Sequence, residues 1–400
     1  MATTITAGNA TNGAAISSDN TGILELKSGT GSGTTAMTVS TGQNVTFAQA
    51  ANLPNTFGFK NRIINGAMVI DQRNAGAAFS GFANGVYTLD RWRAFSSQVS
   101  KYTVQQNAGS VTPPAGFSFY YGVTSSSAYS ITSTDLFMIN QKIEGFNTSD
   151  LAWGTANAQT VTLSFWVRSS LTGTFGGALN NSAENYSYPF TYTISAANTW
   201  EYKTITVAGP TAGTWIGATN GVGMNVWLGL GVGSTYSGTA GSWSASGFYS
   251  ATGATSVVGT NGATFYITGV QLEKGSTATS FDVRPYGTEL MLCQRYYQKV
   301  GATDAGDGVA MATAFNTTDI YGVYNFKVTM RTDPTGSASS SGALEYLSNG
   351  GAQVSTAIVF QLASPNQIEI STTQSSRGAG DAGWWRFPSA TNWIAFSAEL

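Results

Sequence analysis

The stretch from Thr264 to Tyr297, TFYITGVQLEKGSTATSFDVRPYGTELMLCQRYY, decides how the chain is divided. Apolar residues alternate in its first half, but the alternation shifts by one residue between Ile267 and Val270, around Gly269. Because successive side chains of a strand point to opposite faces, a phase shift beside a glycine predicts a β-bulge. The first half therefore predicts a long, bulged strand that closes the β domain before it.

The second half of the stretch changes period and predicts a helix. Leu290, Cys293, Tyr297 and Val300 recur at helical spacing, after the break that Pro285 predicts. Cys293 is the single cysteine, so no disulfide within the chain and no cysteine zinc site can form. Its place on the apolar stripe predicts a buried, unreactive thiol. We expect a short helix that links two β domains.

The composition favours an extended β protein. Gly accounts for 48 of the 400 residues, and charged residues for only 10%, against about 25% in ordinary domains. Aromatic residues reach 12%, and apolar residues alternate clearly, which argues against disorder. Many short apolar runs separated by Asn-Gly and similar turns are typical of antiparallel sandwiches and jelly rolls.

The composition also argues against several classes of function. The net charge is −2 and no basic stripe is present, so we expect no binding to nucleic acid. No run of eighteen apolar residues occurs, so we expect no insertion into a membrane, and the first residues do not resemble a secretory signal. His is absent, and no nucleophile elbow, phosphate loop or metal-ligand spacing is found. We expect no cofactor, no metal and no enzymatic activity.

The chain is expected to be all-β and to have three parts. Residues 1–56 carry few charges and short apolar patches, which predict an intertwined stalk or attachment segment, with a disordered leader as the alternative. Residues 57–285 predict a jelly-roll β-sandwich. Residues 286–400 predict the linker helix and a distal β-sandwich.

Two sets of sequence blocks resemble a β-sandwich module of phage and prophage tail-fibre proteins. The opening set is FKNRIING at 59–66, IDQR at 70–73 and LDRWR at 89–93, and the closing set is FYITGVQLE at 265–273, FDVRPY at 281–286 and LCQRYY at 292–297. Between them, VTLSFWV at 161–167 and WEYKTITV at 200–207 resemble inner strands of jelly-roll carbohydrate-binding modules. Many such modules hold a structural calcium with an Asp near the last strand, but Ile267–Val270 contains no carboxylate, so we expect no calcium there.

The resemblance implies a virion appendage, in the tail or on the capsid, exposed outside the host cell. Its expected partners are two further copies in a homotrimer, another virion protein bound through residues 1–56, and a polysaccharide of the host surface. Host recognition without catalysis is the expected function. The alternatives are a capsid decoration or head-fibre protein with a structural task, and a glycan depolymerase.

Aromatic residues among turns are the candidates for a glycan platform, because sugar rings stack on exposed Trp and Tyr. The candidates are Trp215, Trp243, Tyr186, Tyr188, Tyr236, Tyr249, Trp384 and Trp385. Packing under loops or a contact between subunits is the alternative for each, and Trp384 and Trp385 form either a tip surface or a cap on the last core. Trp166, Trp200 and Trp227 lie within predicted strands and are expected in the core.

Charges are scarce, so those inside the resembling blocks are expected to have specific roles. Asp90, Arg91 and Arg93 are interpreted as structural pairing or interface residues rather than as ligand contacts. An unpaired charge at such a position would be strongly destabilising.

Overall fold

A computed structural model describes residues 60–375 and 377–400, together with the backbone of four earlier strands: β1 (Thr3–Thr4), β2 (Leu24–Ser28), β3 (Thr34–Val39) and β4 (Val45–Phe47). These four form one sheet in the order β1-β2-β3-β4. The chain divides into two compact units, Met1–Gly58 and Phe59–Leu400. The stalk and attachment prediction for residues 1–56 falls largely outside the described residues, and the predicted domain boundaries stay predictions.

The first part of the larger unit is a β-sandwich of jelly-roll type. Its strands are β5 (Asn84–Leu89), β6 (Trp92–Ser96), β7 (Tyr102–Gln106), β8 (Tyr121–Ser125), β9 (Leu136–Glu144), β10 (Val161–Ser169), β11 (Gly173–Asn180), β12 (Ser187–Ile194), β13 (Glu201–Val207), β14 (Val222–Val232), β15 (Ser237–Gly238), β16 (Ser250–Ala251) and β17 (Thr264–Lys274). Single 3₁₀ turns occur at Ala108–Ser110, Gly145–Asn147, Ser149–Leu151 and Ser234–Tyr236.

Two sheets enclose the main core. The five-stranded sheet has the order β13-β10-β17-β8-β7, and the six-stranded sheet has the order β12-β11-β14-β9-β6-β5. Leu163, Phe165 and Val167 of β10 point inward and are fully buried with Leu228 of β14. The alternation read from the sequence therefore gives the inner face of each sheet.

The predicted bulge is confirmed. In the pairing of β10 with β17, Ser164 faces Gln271 but Trp166 faces Thr268, so two residues of β17 lie opposite one of β10. Gly269, in the bulge, has φ +61°, a conformation that favours glycine. Phe265 and Val270 consequently both point into the core although they are an odd number of residues apart.

The opening and closing sequence blocks meet in the fold. The segment from Lys60 to Ile70 runs beside β17, where Val270 donates to the carbonyl of Gly66 over 2.9 Å. Asn61 adds two contacts through its side chain, donating to the Val270 carbonyl and accepting from the Leu272 N–H, over 3.0 and 3.1 Å. A Cβ on Gly66 would lie 2.1 Å from the Val270 oxygen, so this approach requires glycine.

The second part of the unit is a smaller β-sandwich. It contains α1 (Tyr286–Gln294), β18 (Tyr297–Gly301), β19 (Gly308–Ala314), β20 (Asp319–Asn325), β21 (Thr335–Ala338), β22 (Glu345–Ser348), β23 (Gly351–Val354), β24 (Ala357–Gln361), β25 (Gln367–Thr373), β26 (Ala382–Arg386) and β27 (Trp393–Ser397). A three-stranded sheet, β18-β27-β21, packs against a seven-stranded sheet, β23-β22-β26-β19-β20-β25-β24. The all-β fold class is confirmed.

The predicted helix is present but shorter than its periodicity indicated. α1 ends at Gln294, and Tyr297 and Val300 lie instead on β18, which pairs with β27. The β-forming run after residue 296 pairs with a strand almost a hundred residues later, and this tertiary contact overrides the local helical period. Cys293 is fully buried in a small core with Ile64 and Ile70, so α1 packs against the opening segment rather than spanning solvent.

We predict that the buried Cys293 thiol is unreactive in the folded chain. Burial raises the pKa of the Cys293 thiol well above its usual value, and the neighbouring Asp90 carboxylate acts in the same direction. Since only the thiolate is a nucleophile, we expect no alkylation by iodoacetamide at pH 8 in the folded chain and complete alkylation in urea. Mass spectrometry checks both states, and rapid modification of the folded protein would contradict the packing of α1.

Candidate functional site

An aromatic groove lies on the outer face of the five-stranded sheet. Trp166 on β10 and Tyr202 on the edge strand β13 are direct cross-strand neighbours, with ring centroids 5.3 Å apart. Tyr202 is 43% exposed and Trp166 is half-buried. The expectation that Trp166 lies in the core is wrong, because its phase along β10 is that of Ser164, on the outer face. Trp200 is likewise half-buried. Trp227 is fully buried, but on the outer face of the six-stranded sheet and not in the main core.

Two loops form the walls of the groove. Phe117 comes from the loop before β8 and Phe281 from the segment after β17, and their rings meet edge to face at 5.1 Å. Phe117 lies directly over the bulge, where a Cβ on Gly269 would be 2.6 Å from the ring. The bulge that closes the domain thus also makes room for the wall of the groove.

The groove has a volume of about 500 Å³ and a smaller chamber of about 220 Å³ beside it. The two share Gly116, Phe117, Phe281 and Val283, so the aromatic wall stands between them. Tyr286, at the start of α1, lines the smaller chamber and is 62% exposed.

The main groove carries no charge. Its lining consists of Ala115, Gly116, Phe117, Ser164, Trp166, Tyr202, Gly269, Ala278, Thr279, Ser280, Phe281 and Val283. Hydroxyl groups are therefore the polar side chains available there. The arrangement can stack a flat apolar ligand face on Trp166 and Tyr202, but the lining offers no acid or base for proton transfer.

The smaller chamber contains charges that have structural partners. Asp282 accepts hydrogen bonds from the backbone N–H groups of Lys60 and Asn61 over 2.9 and 3.1 Å. Glu289 accepts from Arg284 over 3.2 Å. These contacts fix the segment after β17 against the opening segment, and so hold the Phe281 wall in place.

The bulge glycine gives a direct test of this architecture. Gly269→Ala is expected to lower the free energy of unfolding by about 2 kcal/mol, because the new Cβ meets Phe117 and the backbone is left-handed. Gly287→Ala is the matched control, since it lies within α1 with open space around it, and should be neutral or stabilising by up to about 1 kcal/mol. Urea unfolding measures both, and equal effects would contradict the assigned bulge.

None of the eight predicted platform residues lines the groove, and four of them form a cluster elsewhere. Trp215, Trp243, Tyr186 and Tyr188 come together around Trp153, with Trp243 stacked on Tyr186 at 5.7 Å and edge-on to Trp215 at 5.6 Å. Trp215, Trp243 and Tyr188 are partly buried against the main core. All four are half-buried, whereas Tyr202 on the floor of the groove is 43% exposed.

Tyr236 and Tyr249 form a second group. Tyr249 packs edge-on against Trp227 at 4.9 Å and donates to the Glu184 carboxylate over 2.7 Å. Tyr236 packs on Tyr249 at 5.8 Å. Both tyrosines are half-buried and cover the outer face of the six-stranded sheet.

Trp384 and Trp385 point to opposite sides of β26. Trp384 is 41% exposed on the outer face, whereas Trp385 is fully buried in the second core and donates to Thr372 over 3.0 Å. The assignment of Trp385 to a surface platform is therefore wrong, since alternation along a strand places adjacent residues on opposite faces.

Asp90 and Arg91 lie buried with partners. Asp90 accepts from the backbone and side-chain N–H groups of Gln72 over 2.7 and 2.5 Å, and burial raises its pKa to about 7. Arg91 pairs with Glu399 and lies 3.6 Å from the Tyr296 ring centroid. Arg91 thus joins the first sandwich to Tyr296, just after α1, and to Glu399 near the end of the chain. Arg93 is half-buried on the outer face of the six-stranded sheet.

In the part of the chain that the structure describes, no cluster of three or more His, Cys, Asp or Glu side chains is placed to hold a metal ion. Within the same residues, no helix is long and apolar enough to cross a membrane.

No family model and no curated protein matches the chain. Among solved structures, it is similar to an enzymatically active domain of tailspike protein 4 from bacteriophage CBA120, at 12% identity and a TM-score of 0.29; the match covers 49% of this chain and 21% of that one. It is also similar to a family 4 carbohydrate-binding module, at 16% identity and a TM-score of 0.26, covering 53% and 98% of the two chains. A family 11 module from a cellulosomal cellulase of Clostridium thermocellum matches at 10% identity and a TM-score of 0.26, covering 52% and 99%.

Proposed function

We propose that the chain is a non-catalytic protein that binds a glycan in the groove on the five-stranded sheet. The observation that supports this is an uncharged groove with Trp166 and Tyr202 on its floor and Phe117 and Phe281 in its wall. Sugar rings present apolar C–H faces that stack on such rings, and the groove volume falls within the range of roughly 300–1,000 Å³ found for ligand sites.

The lack of charge in the groove is also the reason for proposing binding rather than hydrolysis. Glycosidases use two carboxyl groups on either side of the scissile bond. The main groove lining contains neither Asp nor Glu, and both carboxylates of the adjoining chamber have structural partners: Asp282 accepts from two backbone N–H groups and Glu289 accepts from Arg284. We expect the pure protein to release no reducing sugar from any polysaccharide that it binds, and release within hours would favour the depolymerase alternative.

More specifically, we propose that the chain belongs to a virion appendage, exposed outside the host cell, that recognises a surface polysaccharide during adsorption. It is supported by the two sets of tail-fibre-like sequence blocks, which lie in contact along β17 through Asn61, Gly66 and Val270. Residues 1–56 would then attach to another virion protein.

Binding to surface polysaccharides tests this function. The labelled full chain should bind a panel of purified bacterial surface polysaccharides selectively, and should bind saturably to cells that carry the recognised polymer. The free polymer should abolish cell binding. Absence of binding across the panel and to the cells, in a protein that is nevertheless found in purified particles, would favour a capsid decoration or head-fibre protein.

The proposed homotrimer can be tested separately by its mass in solution. Light scattering of the full chain at micromolar concentration should give about three times the 41.7 kDa mass of one chain. A monomer mass at that concentration would contradict the trimer and leave the glycan site unaffected, because the groove is formed within one chain.

A further inference from the structure

A second polar site lies on the outer face of the six-stranded sheet, away from the groove. Arg93 on β6, Asn140 on β9 and Trp227 on β14 are consecutive cross-strand neighbours on this face. One pleat further along, Lys142 on β9 faces Asn225 on β14, and Asn225 faces Asn180 on β11. These six residues therefore share one face of four adjacent strands.

The residues in the middle of this face hold polar atoms without protein partners. Asn140, Asn180 and Asn225 are fully buried, and Trp227 is 1% exposed. Both amide atoms of Asn140 and of Asn180, the Asn225 oxygen and the Trp227 indole N–H make no hydrogen bond to protein. A buried polar atom without a hydrogen-bond partner lowers the free energy of unfolding by about 1–3 kcal/mol, unless another molecule supplies the hydrogen bond.

Two cations lie beside these amides on the same face. Arg93 and Lys142 are both half-buried, and neither forms an ion pair with any carboxylate in the described residues. Burial and the nearby Arg93 charge lower the pKa of Lys142, whereas Glu184 acts in the opposite direction. Glu184 accepts from the Tyr249 hydroxyl and keeps its charge, so this edge holds two cations against one carboxylate.

We propose that this face binds the carboxylate of an acidic sugar, with the half-buried Arg93 and Lys142 contacting the anion and turning outward from the buried Asn140 amide and Trp227 indole, which then donate beside it. The face has three unpartnered donor nitrogens and three unpartnered amide oxygens, and the two cations add only donors, which favours an oxyanion over a cation. Tyr249, packed on Trp227, adds an aromatic surface next to the charges, which suits a sugar ring better than a free inorganic ion. The site does not rest on the groove, since it lies on the other sheet.

Calorimetric titration of the full chain tests the proposal with three probes: sodium glucuronate, glucose and sodium phosphate. Glucuronate should bind, and glucose should not. Lys142→Gln and, separately, Arg93→Gln should each lower the affinity for glucuronate at least ten-fold. Melting curves should show that both variants fold. Lys101→Gln is the matched control, because Lys101 is a half-buried cation at a different place in the fold, 4.6 Å from the centroid of the Tyr129 ring.

The titrations give different results depending on whether the proposed site exists. The site is supported if Lys142→Gln and Arg93→Gln each lose glucuronate binding while Lys101→Gln keeps it. Tyr202→Ala should also keep it, because Tyr202 lies in the groove on the other sheet. No glucuronate binding by the wild-type chain overturns it. Binding of phosphate without glucuronate overturns the assignment to an acidic sugar, and an equal loss in Lys101→Gln overturns the assignment to Arg93 and Lys142.

Discussion

Replacing Arg91 with Met is expected to lower the free energy of unfolding by about 3 kcal/mol, the lower end of the range for a broken buried ion pair, because the buried Glu399 carboxylate loses one of its two arginine partners. Arg91 is 1% exposed, and its guanidinium pairs with Glu399 and donates to the Lys142 carbonyl over 2.5 Å. Glu399 is itself 7% exposed, and Arg73 would remain as its other partner, 2.7 Å away. Urea unfolding of the purified variant measures the loss.

Arg386→Met is the matched control for this prediction. Arg386 also pairs with a carboxylate, that of Glu345, but the two side chains are 28% and 12% exposed. Partly solvated pairs contribute about 0–1 kcal/mol, so the control should lose no more than that. Equal losses in the two variants would contradict the view that Arg91 fastens the first sandwich to the end of the chain.

The second large effect is a pH dependence caused by Asp90. Burial raises its pKa from the ordinary 3.8 to about 7, even though the Arg73 charge and the Gln72 hydrogen bonds act against the shift. A carboxyl group with a raised pKa in the folded state stabilises the fold fully below its unfolded pKa, and this contribution is lost as the pH rises through the folded pKa. The free energy of unfolding should therefore fall by about 3 kcal/mol between pH 4 and pH 7, at ~1.4 kcal/mol per pKa unit, and the small remainder should be lost by about pH 8.

Asp90→Asn is the variant that isolates this effect. The amide is neutral at every pH and resembles the protonated acid, so its stability profile should lack the decline between pH 4 and pH 7. Urea unfolding of both proteins at each pH unit gives the difference. Parallel profiles across that window would show that Asp90 does not carry the dependence.

Local features of the fold were predictable where one physical rule decided the outcome. The phase shift around Gly269 predicted the bulge, and the alternation in β10 predicted the inner face of its sheet. The extent of α1 was not predictable, because the pairing of Tyr297 with Ser397 depends on a strand at the far end of the chain. Local periodicity contains no information about such a partner.

The candidate site was less predictable than the fold. Turn context pointed to Trp215 and Trp243, but the sequence does not reveal that both fold onto Trp153. The groove was missed because a Trp within a strand was assigned to the core. The available signal was the phase of Trp166, which it shares with the polar residues Thr162 and Ser164 on the outer face of β10. The walls of the groove come from loops more than 150 residues apart, which only the pairing of β8 with β17 brings together.

The most direct test of the central claim is the affinity of the full chain for its recognised polysaccharide, measured side by side for the wild type and three single variants. Tyr202→Ala should weaken binding at least ten-fold, because Tyr202 is an exposed part of the groove floor. Trp215→Ala, in the packed cluster, and Phe315→Ala, at an exposed aromatic on the second sandwich, should bind as the wild type does. Unchanged binding by Tyr202→Ala with a loss in Trp215→Ala would move the site to the cluster around Trp153 and contradict the groove.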